Sequence, residues 1–102
     1  VVSKPRPDRL CLDLGYKAVA ADQPLPRARL LGLEDAKHVM HSEEHLVVET
    51  PHAGDYPVGT PILAIPTHVC PTVALHKRAY IIENGQLTAQ WDVTARDRLL
   101  GN

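Results

Sequence analysis

The 102-residue sequence predicts a single, mainly β domain, barrel-like in outline. Three observations lead there. Nine prolines and six glycines punctuate short apolar stretches, several of those stretches alternate with period two, and none sustains the apolar stripe of a helix. Phenylalanine is absent and aromatic residues make up 4% of the chain. The core must therefore be built from Leu, Ile, Val and Ala, which suits sheet packing better than a large aromatic ligand pocket.

Arg9 to Leu14 alternates cleanly, with Leu10, Leu12 and Leu14 on one face and Arg9, Cys11 and Asp13 on the other. Gly15 ends this strand. Asp22 to Pro26 reads as a loop, because Pro24 and Pro26 cannot sit in a central strand. Arg29 to Gly32 predicts a short strand. Lys37 to Ser42 and Leu46 to Glu49 predict two paired arms around Ser42-Glu43-Glu44-His45. Pro51 to Pro61 is turn-rich, and Ile62-Leu63-Ala64-Ile65 has the all-apolar character of a strand buried on both faces. Tyr80 to Trp91 is a β-hairpin, since Asn84-Gly85 supplies the two positive φ angles of a type I′ turn. Thr94 predicts the N-cap of a short C-terminal helix through Leu99, ended by Gly101.

Charge and composition exclude several classes of function. The formal net charge is −1, which offers no basic patch for nucleic acid or an anionic membrane. No apolar run approaches the roughly 20 residues of a membrane helix. No signal peptide is visible, so a cytoplasmic location is expected. Cys11 and Cys70 are too sparse for a disulfide framework and are read as unpaired. The start Val1-Val2-Ser3 reads as the tail of a strand, as in a fragment of a longer chain.

The stretch richest in chemistry is Ile65-Pro66-Thr67-His68-Val69-Cys70-Pro71-Thr72. Read as extended chain, His68 and Cys70 share a face with Cα atoms roughly 6.5 Å apart. An imidazole nitrogen and a thiolate at that separation can hold one metal ion, with Val69 turned away into packing and Pro66 and Pro71 stiffening the flanks. The same spacing also fits a buried cysteine beside a hydrogen-bonded histidine. No closed structural zinc pattern is present, so an ion held here would keep open positions. Among the other histidines, His38 and His41 read as surface or satisfied structural groups, His52 as exposed, His45 as part of a solvated turn with Glu43 and Glu44, and His76 as a candidate to orient a ligand.

Taken in order, Arg9 to Lys17, Ser42 to His45, Gly59, Pro66 to Thr72 and the Tyr80–Trp91 hairpin resemble the C-terminal domain of the D-serine dehydratase and D-threonine aldolase family, fold-type III pyridoxal-phosphate enzymes. The resemblance implies a domain of a longer enzyme, with an N-terminal α/β barrel carrying pyridoxal phosphate on a lysine. It places His68 and Cys70 on the family's metal-binding positions. A thiolate selects zinc over a harder ion such as manganese. The resemblance also implies a D-amino acid substrate, a homodimer at full length, and either dehydration or aldol cleavage. These residues contain neither barrel nor cofactor lysine, and Lys17 lies in the wrong domain to serve. The domain alone is therefore expected to be inactive. Leu46 stands where the family often has glycine after Ser-Glu-Glu-His, which puts a positive-φ turn there in question. The alternative is a free-standing β-barrel binding module with a structural His-x-Cys pair.

Overall fold

The computed structural model describes residues 1–101. It is mostly antiparallel sheet, as the period-two patterning predicts. Strands β1 (Ser3–Arg6), β2 (Arg9–Leu12), β4 (Lys37–His41) and β5 (Leu46–Glu49) form one sheet in the order β1-β2-β5-β4. Among the described residues, strand β3 (Ala28–Leu30) pairs only with β6 (Ala64–Pro66). Strands β7 (Arg78–Glu83) and β8 (Gln86–Asp92) form a separate ribbon. The three sheets do not close into a barrel: neither two-stranded sheet has a third strand among the described residues.

The alternation of Arg9–Leu12 dictates the core. Leu10 and Leu12 are buried and lie opposite Val48 and Leu46 of β5. Leu30, Leu33, Ala36 and Ala53 close over them, with Leu14, Tyr56 and Ile62 packed at the margin. On the other face, Arg9 sits opposite Glu49 and donates from Nε and Nη2 to Oε2, at 3.1 and 3.0 Å.

Gly15 has a steric task. A Cβ there would lie 1.9 Å from the carbonyl oxygen of Glu43. The loop after β2 thus lies against the β4–β5 turn, and the Tyr16 and Lys17 amides donate to the carbonyls of Ser42 and Glu43. Leu46 needs no positive φ; it is a buried strand residue of β5.

Two sequence expectations change. Ile62–Ile65 is not a doubly buried strand. Of this run only Ala64 and Ile65 enter β6, and Leu63 and Ile65 remain 75% and 49% exposed because nothing among the described residues covers the outer side. At the C-terminus, Thr94 opens a single 3₁₀ turn, Thr94–Asp97, with Val93 rather than Thr94 at its cap. The Asn84-Gly85 hairpin forms as expected, with φ of 50° and 76° at the turn. It projects from the body and contributes to a radius of gyration of 15.4 Å, against about 13 Å for a compact chain of this length.

Candidate metal centre

The Pro66–Thr72 segment folds differently from its extended reading. His68 is extended, with φ −121° and ψ 103°, but it caps a five-residue helix α1 (Val69–Val73) that contains Cys70. Pro71 falls in the first helical turn, where its missing N–H would have no intrahelical partner in any case. His68 and Cys70 are therefore not on one face of a strand. They lie on either side of the turn into α1, and Val69 is 53% exposed rather than packed.

Three side chains spaced by four residues bind this segment to the stretch Ala18–Asp22, which runs past it in the opposite direction. His76 Nε2 lies 2.8 Å from the Ala18 carbonyl oxygen. The buried Thr72 hydroxyl accepts from the Ala20 amide at 2.9 Å and donates to the His68 carbonyl at 2.8 Å. His68 Nδ1 meets Asp22 Oδ2 at 2.5 Å. The contacts thus recur every four residues on one segment and every two on the other. Thr72 is the only residue after Ala53 that is buried among the described residues, and it anchors the ladder at its centre.

At the outer end of the ladder, the His68 and Asp22 side chains are each 44% exposed. A pair so exposed adds little stability. The imidazole hydrogen bond holds the Asp22 carboxyl below its ordinary value, with a smaller contribution from Gln23 Nε2 at 3.2 Å. His68 Nε2 and Cys70 Sγ make no hydrogen bond among the described residues; Cys70 is exposed, Cys11 is half-buried, and both are unpaired. An imidazole nitrogen and a thiol left open at the surface are a fitting donor pair for a borderline-soft divalent ion such as zinc. Among the described residues, no group of three or more His, Cys, Asp or Glu converges on one point. Any ion held by this pair has its remaining coordination positions filled from elsewhere.

The other predicted residues fall away from this pair. His41 is a structural group: Arg27 Nη1 donates to its Nδ1 at 3.1 Å and its Nε2 donates to the Leu14 carbonyl at 3.1 Å. Because arginine only donates, this arrangement fixes a neutral ring. Burial lowers the pKa of His41 and, with the neighbouring His41 charge as a second cause, that of His38. His38 Nδ1 is buried without a hydrogen-bond partner among the described residues. His45 and His52 are exposed. Lys17 is clamped between Glu43 and Glu44 at 3.1 and 2.7 Å, which raises its pKa, the Glu44 hydrogen bond first. His76 binds the Ala18 carbonyl, so it holds the segment rather than the pair. Asp22 escaped the sequence reading: it sits in a proline-flanked loop, 46 residues from His68, with no local pattern to connect them.

Among the described residues, no helix is long and apolar enough to cross a membrane. Residues 1–82 match the family described as "Putative serine dehydratase domain". The chain is 32% identical over 97 residues to a D-threonine aldolase of Arthrobacter sp., covering 94% of this chain and 25% of that enzyme. It is 33% identical over 98 residues to a 3-hydroxy-D-aspartate aldolase of Paracoccus denitrificans, covering 96% and 24%. An uncharacterized protein of Mycobacterium tuberculosis is 34% identical over 94 residues, covering 88% of this chain and 71% of that protein. The chain thus spans about a quarter of the length of the two aldolases. With four strands of the central sheet, β6, α1 and most of β7 inside the matched region, the chain belongs to the serine dehydratase domain family.

Proposed function

We propose that the chain is the metal-carrying C-terminal domain of a pyridoxal-phosphate-dependent enzyme acting on D-amino acids, with His68 and Cys70 as the metal ligands. The observation that carries this reading is the match to two aldolases of D-configured hydroxy amino acids along 94–96% of the chain. The open donor pair at the turn into α1 supports the choice of ligands. His68 would offer Nε2, and Cys70 its thiolate. The thiolate favours zinc; an aspartate in its place would have favoured manganese. When bound, the ion supplies Lewis acidity toward a substrate carboxylate or hydroxyl, and pyridoxal phosphate, held by another domain, supplies an electron sink.

The uncovered second half of the chain fits a domain that docks on a larger body. Tyr80, Ile82, Leu87 and Trp91 of the hairpin are all more than half exposed. A two-stranded ribbon with apolar groups on both faces is marginal in water on its own. An N-terminal α/β barrel of the same enzyme is the partner that the family resemblance implies, with a homodimer as the full-length state and the cytoplasm as its location. A free-standing module is the second reading, favoured by the mycobacterial relative, of which the match covers 71%.

The test is an assay of the full-length protein with D-threonine, 3-hydroxy-D-aspartate and D-serine, with and without chelator. Activity on at least one substrate, abolished by chelator and by Cys70→Ala with cofactor absorbance intact, is expected. Activity that survives both treatments would remove His68 and Cys70 from the reaction, and a native protein that carries no pyridoxal phosphate would support the free-standing module.

A further inference from the structure

We infer that Asp22 is a positioning residue for the metal: its carboxylate fixes the tautomer and orientation of His68, so that Nε2 is presented as the ligand. This inference rests on the proposed metal reading and assigns a role to a residue outside the His-x-Cys motif.

The geometry carries it. An ionised carboxylate only accepts hydrogen bonds, so the Asp22 Oδ2–His68 Nδ1 contact places the ring proton on Nδ1. A neutral ring in this tautomer carries its lone pair on Nε2, the nitrogen without a hydrogen bond among the described residues. Metal-bound histidines generally donate their second ring N–H to a carboxylate or carbonyl, which raises ligand basicity and locks the ring. Here the carboxylate is itself held in place. The Ala20 amide, two residues before Asp22, is fixed by the buried Thr72 hydroxyl, which also binds the His68 carbonyl. Gln23 Nε2 donates to the same Asp22 oxygen, and the Gln23 carbonyl accepts from Arg27 Nε at 2.8 Å. The backbone of His68 and the backbone two residues before Asp22 are thus tied to one hydroxyl group. An ordinary surface ion pair between two mobile side chains would have no such backing, and as a stability device this one would be wasted at 44% exposure.

The test measures zinc affinity of the full-length protein by competition with a chromophoric chelator, together with the visible spectrum of the cobalt-substituted protein. Wild type, Asp22→Ala, Asp22→Asn, His68→Ala and Cys70→Ala are compared. Loss of binding in the last two variants establishes the metal reading. Asp22→Ala should then weaken zinc binding about 10- to 100-fold, while the cobalt–thiolate band stays because Cys70 still binds. Asp22→Asn should lose less, since its amide oxygen can still accept from Nδ1–H. Zinc affinity within twofold of wild type for both Asp22 variants would overturn the inference and leave the metal reading standing. Equal losses beyond 100-fold in the two would make Asp22 a ligand and also overturn it. A wild-type protein whose zinc binding ignores His68 and Cys70 would overturn both.

Discussion

The two ends of this chain have similar apolar content and opposite fates. From Leu10 to Ala53 the leucines, valines and alanines close on one another: eleven apolar residues there are buried, Leu10 and Val48 completely. Beyond Ile62, which packs at the margin of the core, most large apolar residues face outward, and Leu63, Ile65, Tyr80, Ile82, Leu87 and Trp91 are 49–75% exposed. The first region is a sheet with its own cover. The second comprises a three-residue strand, a five-residue helix, a ribbon and a 3₁₀ turn, held to the first by the β3–β6 pair and by the 18–22/68–76 ladder. Hydrophobicity therefore marks where burial is needed, while topology decides whether these residues supply it.

The largest expected effect comes from breaking the self-covered region. Leu10→Ala should cost about 3–5 kcal/mol, a buried leucine truncated in a packed sheet. Leu63→Ala, at the same level of chemistry, should change the stability of the 102-residue chain by less than about 0.5 kcal/mol. Urea denaturation of both variants measures the contrast; equal losses would mean that the second region is covered after all. If a further domain covers the outer side of β6, the Leu63 value should rise in its presence. Gly15→Ala should cost about 3 kcal/mol, because the carbonyl in the way belongs to backbone and cannot rotate aside.

The seam between the regions is next. Thr72→Val keeps the shape and removes the hydroxyl, leaving the Ala20 amide buried without an acceptor. A loss of about 1–3 kcal/mol is expected, with faster hydrogen exchange at Ala20. An unchanged exchange rate there would show that the ladder is not the seam.

The smallest effect is in the pH dependence. Burial holds the pKa values of His38 and His41 below the ordinary 6.5, and Arg27 faces the unprotonated nitrogen of His41. Protonation therefore favours the unfolded chain. Stability should be full above about pH 6.5 and fall as the pH drops below it. His41→Gln should flatten that fall; a slope equal to wild type would remove His41 as its source.

Much of the first region is legible in the residues themselves. Alternation over Arg9–Leu12, the paired arms around Ser42–His45 and the Asn84-Gly85 turn are all encoded within a few residues, where period and turn chemistry act. The site was only half legible. His68 and Cys70 stand out as chemistry, but their spacing was read on an extended chain with Pro66 and Pro71 stiffening its flanks. Pro71 instead suits the first turn of α1. Asp22 and Thr72 acquire their meaning through contacts 46 and 52 residues away, and such pairings leave no local trace. The Ile62–Ile65 run failed for a related reason: apolarity announced burial on both faces, but no described residue covers Leu63 and Ile65.

The central claim is that His68 and Cys70 hold the metal, and X-ray absorption at the zinc edge of the full-length protein tests it most directly. The account predicts one sulfur scatterer at about 2.3 Å, with nitrogen and oxygen neighbours at about 2.0–2.2 Å. The sulfur contribution should disappear in Cys70→Ala. A first shell of nitrogen and oxygen alone in the wild type, or a sulfur shell that persists in Cys70→Ala, would contradict it.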